Sequence, residues 1–379
     1  MNILYDIIGI PFGFLMSLIY NIFGNYAISI IVFTVVTKLL LFPVSYKTQK
    51  SSARMQLLSP KLEKLRKSYS NNQQKLNEET QKLYQQEGVN PMGSCMPMFI
   101  QMFLLFGVID VVYKPITHIL SITKSVRLAA VEIASGLIGG KGVSPSNLRC
   151  ELITMEQVGL DPNAFSELPE NFLGKVSEFA NNFTIFGANL GKTPTLHPDD
   201  WTREAVVLAL IPFFAGIVQL LSSIYMNAHQ RKVNPSAQGN GCVSVMTYAL
   251  PIWSVWLAFS VPAGIGFYWI WSSLFGFIIT FALNQYFTPE RIKEINEKEK
   301  EKARIYAEKN PGKKSFMQKL MEQQQAALDE QNNANRGNSS GDKISRSEMN
   351  RQNRDRINEQ RRRMAEKYGD VYEENNKEE

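Results

Sequence analysis

A lysine inside a long apolar run constrains this chain more than any other feature. Residues 25–43 are almost wholly apolar, and a helix needs about 20 such residues to cross a bilayer. Lys38 lies inside this run. A cation within a span costs about 3 kcal/mol on insertion scales, so an intramembrane charge is a functional hypothesis by default. The alternative is that Lys38, five residues before Pro43, extends its ammonium to the headgroups.

Thr34 adds a second polar side chain to the helix face that carries Lys38. It precedes Lys38 by four residues, which places both on one side of a helix. Its alternative role is local, because a threonine hydroxyl in a helix can bond back to a carbonyl of its own helix.

Reactive side chains are scattered along the chain. The three cysteines are isolated, and no CxxC or His/Cys cluster occurs, so neither a metal site nor a disulfide framework is indicated. The apolar runs contain no Ser/His, paired Asp or metal constellation of the kind that an intramembrane hydrolase needs. We therefore expect no enzyme activity, no catalytic residue, no metal and no cofactor.

The apolar runs predict an all-α polytopic membrane protein with five spans. Residues 1–20 contain Pro11 in mid-run, which favours an interfacial helix over a span, with an uncleaved signal-anchor as the alternative. The predicted spans are residues 21–45, 91–113, 204–228, 243–261 and 264–287, the last two being separated at Pro262-Ala263-Gly264. Asp110, near one end of the second span, is expected to be solvated at the membrane interface.

The charges of the loops predict the orientation. Residues 46–90 carry nine basic and four acidic side chains, which places this loop in the cytoplasm. Its Leu/Met stripe, interrupted at residues 70–73, predicts two antiparallel amphipathic helices. Residues 114–203 carry eight basic and nine acidic side chains, as an extracytoplasmic segment should, whereas the short loop 229–242 carries Arg231 and Lys232. The N-terminus is then outside and the C-terminus cytoplasmic.

The last segment, residues 288–379, is polar and has few apolar residues, so it cannot bury a core. Its acidic and basic side chains nearly balance, which favours a solvated tail. The basic triplet Arg361-Arg362-Arg363 makes binding to an RNA surface the alternative.

Several motifs, taken in order, resemble the YidC family of membrane protein insertases in its five-span bacterial form, over about residues 7–288. The first span is similar to a family segment that contains a threonine followed by an arginine. Thr34 stands at the threonine position, and Lys38 stands where the family usually has the arginine. The last hairpin, VPAGIGFYWIWSSLF, is similar to the family's proline, glycine and Tyr-Trp pattern. The cytoplasmic loop and second span match at Lys50, Ser51, Met55, Gln56, Pro60, Tyr69, Leu83, Tyr84, Asn90, Pro91, Cys95, Pro97, Gln101 and Met102.

The resemblance implies a five-helix bundle around a hydrophilic groove that opens to the cytoplasm and to lipid, with a cytoplasmic helical hairpin. The positions that line the groove in the family correspond in this sequence to Lys38, Thr34, Gln219, Tyr268 and Trp269. From the residues alone, Gln219 could equally be a hydrogen bonder between helices, and Tyr268 and Trp269 could be interfacial aromatic residues.

The implied function is insertion and folding of newly made membrane proteins in the bacterial plasma membrane, alone or with the Sec translocon. Nascent membrane proteins and lipid are then its partners, the ribosome is a further partner through the basic hairpin and tail, and no small-molecule substrate is expected. The sequence departs from the family in two ways. Lys38 replaces the commoner arginine, whose guanidinium can form two parallel hydrogen bonds that an ammonium cannot. The segment 114–203 is also longer than expected for the five-span form.

Two other functions compete with this one. The first is a transporter for a small acidic solute, with Lys38 as the binding cation; such proteins usually contain internal repeats, which this sequence does not show. The second is a membrane scaffold that recruits partners by its hairpin and tail, in which Lys38 would be replaceable.

Overall fold

The computed structural model describes residues 2–89, 96–139, 143–233 and 241–309. The predicted tail beyond residue 309 and the motif residues Asn90, Pro91 and Cys95 lie outside these ranges. The helices are α1 (Asn2–Phe23), α2 (Tyr26–Leu40), α3 (Phe42–Ser68), α4 (Gln73–Glu87), α5 (Met96–Tyr113), α6 (Pro115–His118), α7 (Lys124–Leu137), α8 (Cys150–Leu160), α9 (Glu170–Asn182), α10 (Arg203–Val233), α11 (Gly241–Ala258), α12 (Ala263–Tyr286) and α13 (Pro289–Lys309). A 3-10 helix (Pro162–Phe165) and a hairpin of strands β1 (Thr184–Ile185) and β2 (Ala188–Asn189) complete the described part.

The apolar run around Lys38 forms a short helix and then bends. The Asn25 side chain caps α2 by accepting a hydrogen bond from the Ile28 backbone N–H, 3.1 Å away. α2 ends at Leu40, and α3 leaves it at an angle of 57° with Pro43 in its first turn. Proline fits a first turn because the N–H that it lacks has no intrahelical acceptor there. The predicted span 21–45 is therefore a 15-residue helix followed by a bend.

Within the described residues, Arg203–Lys232 and Ala263–Tyr286 are long and apolar enough to cross a membrane. The bent pair α2–α3 makes a third such element if it counts as one span, and Gly9–Phe23 and Ile100–Tyr113 are shorter apolar helices. α12 packs against α2, α10 and α11, while α1 packs against α2 and α5. The chain is thus a predominantly helical membrane protein, and its five spans stay a prediction.

The two ends of α12 face different parts of the chain. At its start, the backbone N–H groups of Ala263 and Gly264 donate to the carbonyls of Lys192 (2.9 Å) and Leu190 (2.8 Å). These bonds satisfy donors that a helix N-terminus leaves without intrahelical partners. At its other end, Asn284 accepts a hydrogen bond from the Gln49 side chain of α3. The segment between α5 and α10 therefore lies at one end of the helices, and the α3–α4 pair lies at the other.

The segment between α5 and α10 has its own aromatic core. It is built from side chains that are 0–1% exposed: Phe165, Phe172, Phe179 and Phe183. This core rests on the junction of α1 and α2, where the Tyr26 ring meets that of Phe183 at 4.5 Å and the Tyr20 ring meets that of Phe179 at 5.2 Å. Edge-to-face aromatic pairs stabilise by about 0.5–1.5 kcal/mol beyond the area that they bury. The segment is thus packed onto the helices.

The expectation that Asp110 is solvated is wrong. Its side chain is fully buried and lies 2.6 Å from both Lys114 Nζ and His118 Nε2. Gly9 and Gly13 of α1 make room for this cluster, because a Cβ built on Gly9 would stand 2.0 Å from Asp110 Oδ2. A buried carboxylate needs such partners, since an unpaired one would lose its hydration without compensation.

Candidate functional site

Lys38 lies in a cleft beside the bend between α2 and α3. The cleft has a volume of about 90 Å³ and is lined on its other side by α5. It is lined by Lys38, Leu41, Val44, Ser45, Thr48, Ile100, Gln101 and Leu104. The structure therefore brings Lys38 together with Gln101, a residue of the predicted motif in the second span.

The Lys38 ammonium is a cation without a counter-ion in the part of the chain that the structure describes. Its side chain is half-buried and forms no ion pair or hydrogen bond with the described residues. α12 approaches it at Gly276, where a Cβ would stand 3.7 Å from Lys38 Nζ. A half-buried cation interacts more strongly with an incoming anion than a fully solvated one does, because the local dielectric is lower.

Thr34 occupies a different environment from Lys38. It is fully buried, and its hydroxyl donates to the Ile30 carbonyl at 2.6 Å. This is the back-bonded alternative considered for the sequence. The cleft is lined by Ser45 and Thr48, which the sequence interpretation did not select and whose hydroxyls likewise donate to carbonyls of the preceding turn, so that they offer the cleft acceptor oxygens. Both follow Lys38 at helical spacing across the bend, and that spacing was the signal that could have identified them.

The remaining predicted site residues are spread over α10 and α12. Gln219 Oε1 accepts a hydrogen bond from Ser254 Oγ at 3.1 Å, which joins α10 to α11. Tyr268 is 1% exposed, and its side chain lies in the apolar core. Trp269 is half-buried against the apolar core. Gln219 thus occupies the position of a hydrogen bonder between helices, and neither Tyr268 nor Trp269 lines the cleft of Lys38.

A second polar cluster joins α3, α4 and α13, and the sequence did not suggest it. Arg54 is buried; its Nε donates to Asn296 Oδ1 at 2.8 Å and its terminal nitrogen donates to the Glu87 carbonyl at 3.0 Å. The Glu87 carboxylate pairs with Lys61 and Lys300. Burial would raise the pKa of Glu87, but hydrogen bonds from these two lysines outweigh it and hold the pKa below its ordinary value. Burial lowers the pKa of Arg54.

The described residues contain no group of three or more His, Cys, Asp or Glu side chains that could hold a metal ion. The lining of the cleft offers a cation beside hydroxyl and amide groups. Such a set can attract and orient an anionic or polar segment without breaking a bond.

Comparison with known proteins gives a family and several relatives. A family model described as 60Kd inner membrane protein matches residues 18–294. The chain is 38% identical over 112 residues to a membrane protein insertase YidC of Fusobacterium nucleatum, covering 29% of this chain and 55% of that protein. It is 40% identical over 103 residues to the one of Nitratidesulfovibrio vulgaris (27% of this chain, 19% of that protein) and 37% identical over 118 residues to the one of Syntrophus aciditrophicus (31% and 21%). The matches thus span about half of the first relative and about a fifth of the other two.

Proposed function

Because the chain belongs to the 60Kd inner membrane protein family, the family of the YidC proteins, we propose that it is a membrane protein insertase. It receives newly made membrane proteins, guides a polar segment of each client part of the way across the bilayer, and releases the apolar segment into lipid. The observation that carries this proposal is the half-buried ammonium of Lys38, which has no counter-ion among the described residues and lies in a polar-lined cleft.

The proposed topology has five spans, with the N-terminus outside and the C-terminus in the cytoplasm. Support comes from α10 and α12, from the bent pair α2–α3 and from the shorter apolar helix Ile100–Tyr113, each of which falls on a predicted span. The remaining predicted span, residues 243–261, falls on α11. The basic side chains of α3 and α4 support a cytoplasmic position for this end of the helices. The cleft then opens toward the cytoplasm, and the segment between α5 and α10 covers the outer end.

The proposed role of Lys38 is electrostatic. A client's acidic residue that enters bare hydrocarbon must lose its hydration, which is costly for charges. Two unit charges 4 Å apart attract by about 1 kcal/mol in water but about 4 kcal/mol at an effective dielectric near 20. The second value is comparable with the insertion penalty of about 3 kcal/mol for one charged residue. Lys38 can thus offset much of the penalty for one acidic side chain.

The apolar part of the client needs a path from the cleft into lipid. Leu39 and Leu40 follow Lys38 directly and are 65% and 69% exposed. A client helix that leaves the cleft along these side chains exchanges water for apolar surface, which is favourable by about 25 cal/mol per Å² buried. We propose that this burial drives release.

The proposed partners beyond the client are lipid, the Sec translocon and the ribosome. The basic, exposed side chains of α3, among them Lys64, Arg66 and Lys67, are suited to a polyanionic surface such as ribosomal RNA. Arg54 lies within the same helix but is buried, so it belongs to the internal cluster and not to this surface.

The test is insertion of a small single-span client with an acidic outer segment, in cells depleted of their own insertase. Lys38→Arg, Lys38→Ala and Lys38→Glu are compared at matched protein levels. We expect Arg to support insertion and Ala and Glu to fail, with Glu the worse because it repels the client. A client with a neutral outer segment is the control and should depend less on Lys38. Normal insertion of the acidic client by all three variants would show that the positive charge of Lys38 is not part of the mechanism.

A further inference from the structure

The turn between β1 and β2 contains a residue that is poorly suited to it. Phe186 and Gly187 form a two-residue loop, with φ values of +50° and +83°. A two-residue hairpin loop with positive φ at both positions is strongly biased toward Asn-Gly, Asp-Gly or Gly-Gly. Gly187 fits this rule. Phe186 does not, because a bulky side chain is disfavoured in the left-handed region.

Burial in the core does not account for a phenylalanine at position 186 either. Its side chain is 73% exposed, so the ring contributes little to the core of the segment. An exposed aromatic side chain in a disfavoured backbone conformation stabilises neither the turn nor the fold in water. These two observations together indicate that the ring is retained for a contact outside the chain.

The hairpin lies beside the start of a candidate span. The Asn189 backbone N–H donates to Glu204 Oε1 at 3.1 Å, and Lys192 pairs with the same carboxylate at 2.8 Å. Glu204 is in the first turn of α10, whose exposed apolar face begins at Val206 and continues through Leu210. Phe186 is three residues from Asn189, a reach of roughly 10 Å in extended chain.

Other exposed apolar side chains lie at the starts of the helices beside the hairpin. Trp201 precedes α10 by two residues and is 62% exposed. β1 contacts α2, where Ile28 in the first turn is also exposed. The hairpin therefore lies next to the first turns of two apolar helices. Tryptophan and tyrosine are enriched where such helices meet the membrane–water interface.

We propose that Phe186 and Trp201 form an interfacial anchor, in which the hairpin tip inserts into the lipid headgroup region on this side of the membrane. The occupant is lipid because Glu204 holds the hairpin at the first turn of α10, whose exposed apolar side chains begin at Val206, and because the exposed Trp201 precedes that helix by two residues. The anchor fixes the segment between α5 and α10 against the bilayer surface. The proposal depends on the residence of the chain in a membrane and not on its activity as an insertase.

The test replaces Phe186 by p-benzoylphenylalanine in the full chain, in native membranes, and identifies the photo-adduct by mass. Phe214, on the exposed apolar face of α10, is the lipid-facing control, and Glu167, an exposed acidic position in the same segment, is the solvent control. We expect a mass increase of one phospholipid at positions 186 and 214 but not at 167. A protein adduct at 186, or no adduct there while position 214 yields lipid, would overturn the proposal. Failure at position 214 as well would instead contradict the membrane-facing assignment of α10, on which the proposal rests.

A nitroxide label gives an independent measurement if the photoreactive variant does not fold. Phe186→Cys and Glu167→Cys are each labelled in a chain whose native cysteines are replaced by serine, and both are reconstituted into phosphatidylethanolamine/phosphatidylglycerol vesicles. The label at 186 should collide more often with oxygen, which concentrates in lipid, than with a water-soluble nickel chelate. Equal behaviour at 186 and 167 would refute the anchor.

Discussion

Gly276 of α12 faces the ammonium of Lys38, since a Cβ built on this glycine would stand 3.7 Å from Lys38 Nζ. α12 thus has no side chain at a position where one would contact the cation. Glycine in a helix interior is destabilising by about 0.5–1 kcal/mol relative to alanine. The space beside the cation admits a methyl group but not a long side chain.

This relationship predicts different results for two substitutions at one position. Gly276→Ala adds a methyl group at ordinary van der Waals distance and should leave insertion of the acidic client intact. Gly276→Leu should fill the space around Lys38, remove water from the ammonium and reduce insertion toward the level of Lys38→Ala. The measurement is the insertion assay described for Lys38. A Gly276→Leu protein that folds, reaches the membrane and inserts the acidic client normally would contradict this account of the cleft.

The features that could be predicted from the sequence depend on local patterns. The apolar run with Lys38, the two helices on either side of residues 69–72 and the break near Pro262 each follow from the spacing of apolar and turn residues. The cluster of Arg54 with Asn296 could not be predicted, because its members are 242 positions apart and both residue types are usually exposed. The burial of Asp110 was missed for a similar reason, since it depends on the glycines of α1.

Arg54 is expected to hold α13 against the α3–α4 pair. Arg54→Leu leaves Asn296 Oδ1 and the Glu87 carbonyl without their donor in a buried site. An unsatisfied buried polar group costs about 1–3 kcal/mol, so we expect a marked loss of thermal stability and faster protease cleavage within α13. The matched control is Lys82→Ala, which breaks an exposed ion pair with Glu79 and should change neither measurement. Equal behaviour of the two variants would show that the cluster does not restrain α13.

Glu87 should make the docking of α13 sensitive to acid. Its ion pairs with Lys300 and Lys61 hold its pKa below the ordinary value of 4.5, so the folded state favours the ionised form. The resulting stabilisation is present above pH 4.5 and is lost as the pH falls through the lower pKa of the folded state. Protease protection of α13 should therefore decrease below that pH. Glu87→Gln should lower the protection at neutral pH and flatten its pH dependence; an unchanged profile in this variant would assign the acid sensitivity to other groups.

Two glycine-to-alanine substitutions should have opposite effects on stability. At Gly9 a methyl group would stand 2.0 Å from Asp110 Oδ2, so α1 must move away from α5 or the buried ion cluster must rearrange. Overpacking of this kind typically costs about 1–3 kcal/mol. At Gly174 in α9 the same methyl group meets nothing within 4 Å, and the gain in helix propensity should stabilise by about 0.5–1 kcal/mol. Thermal unfolding of the purified full chain in detergent measures both effects. If Gly9→Ala proved as stable as Gly174→Ala, the close packing of α1 on Asp110 would be wrong.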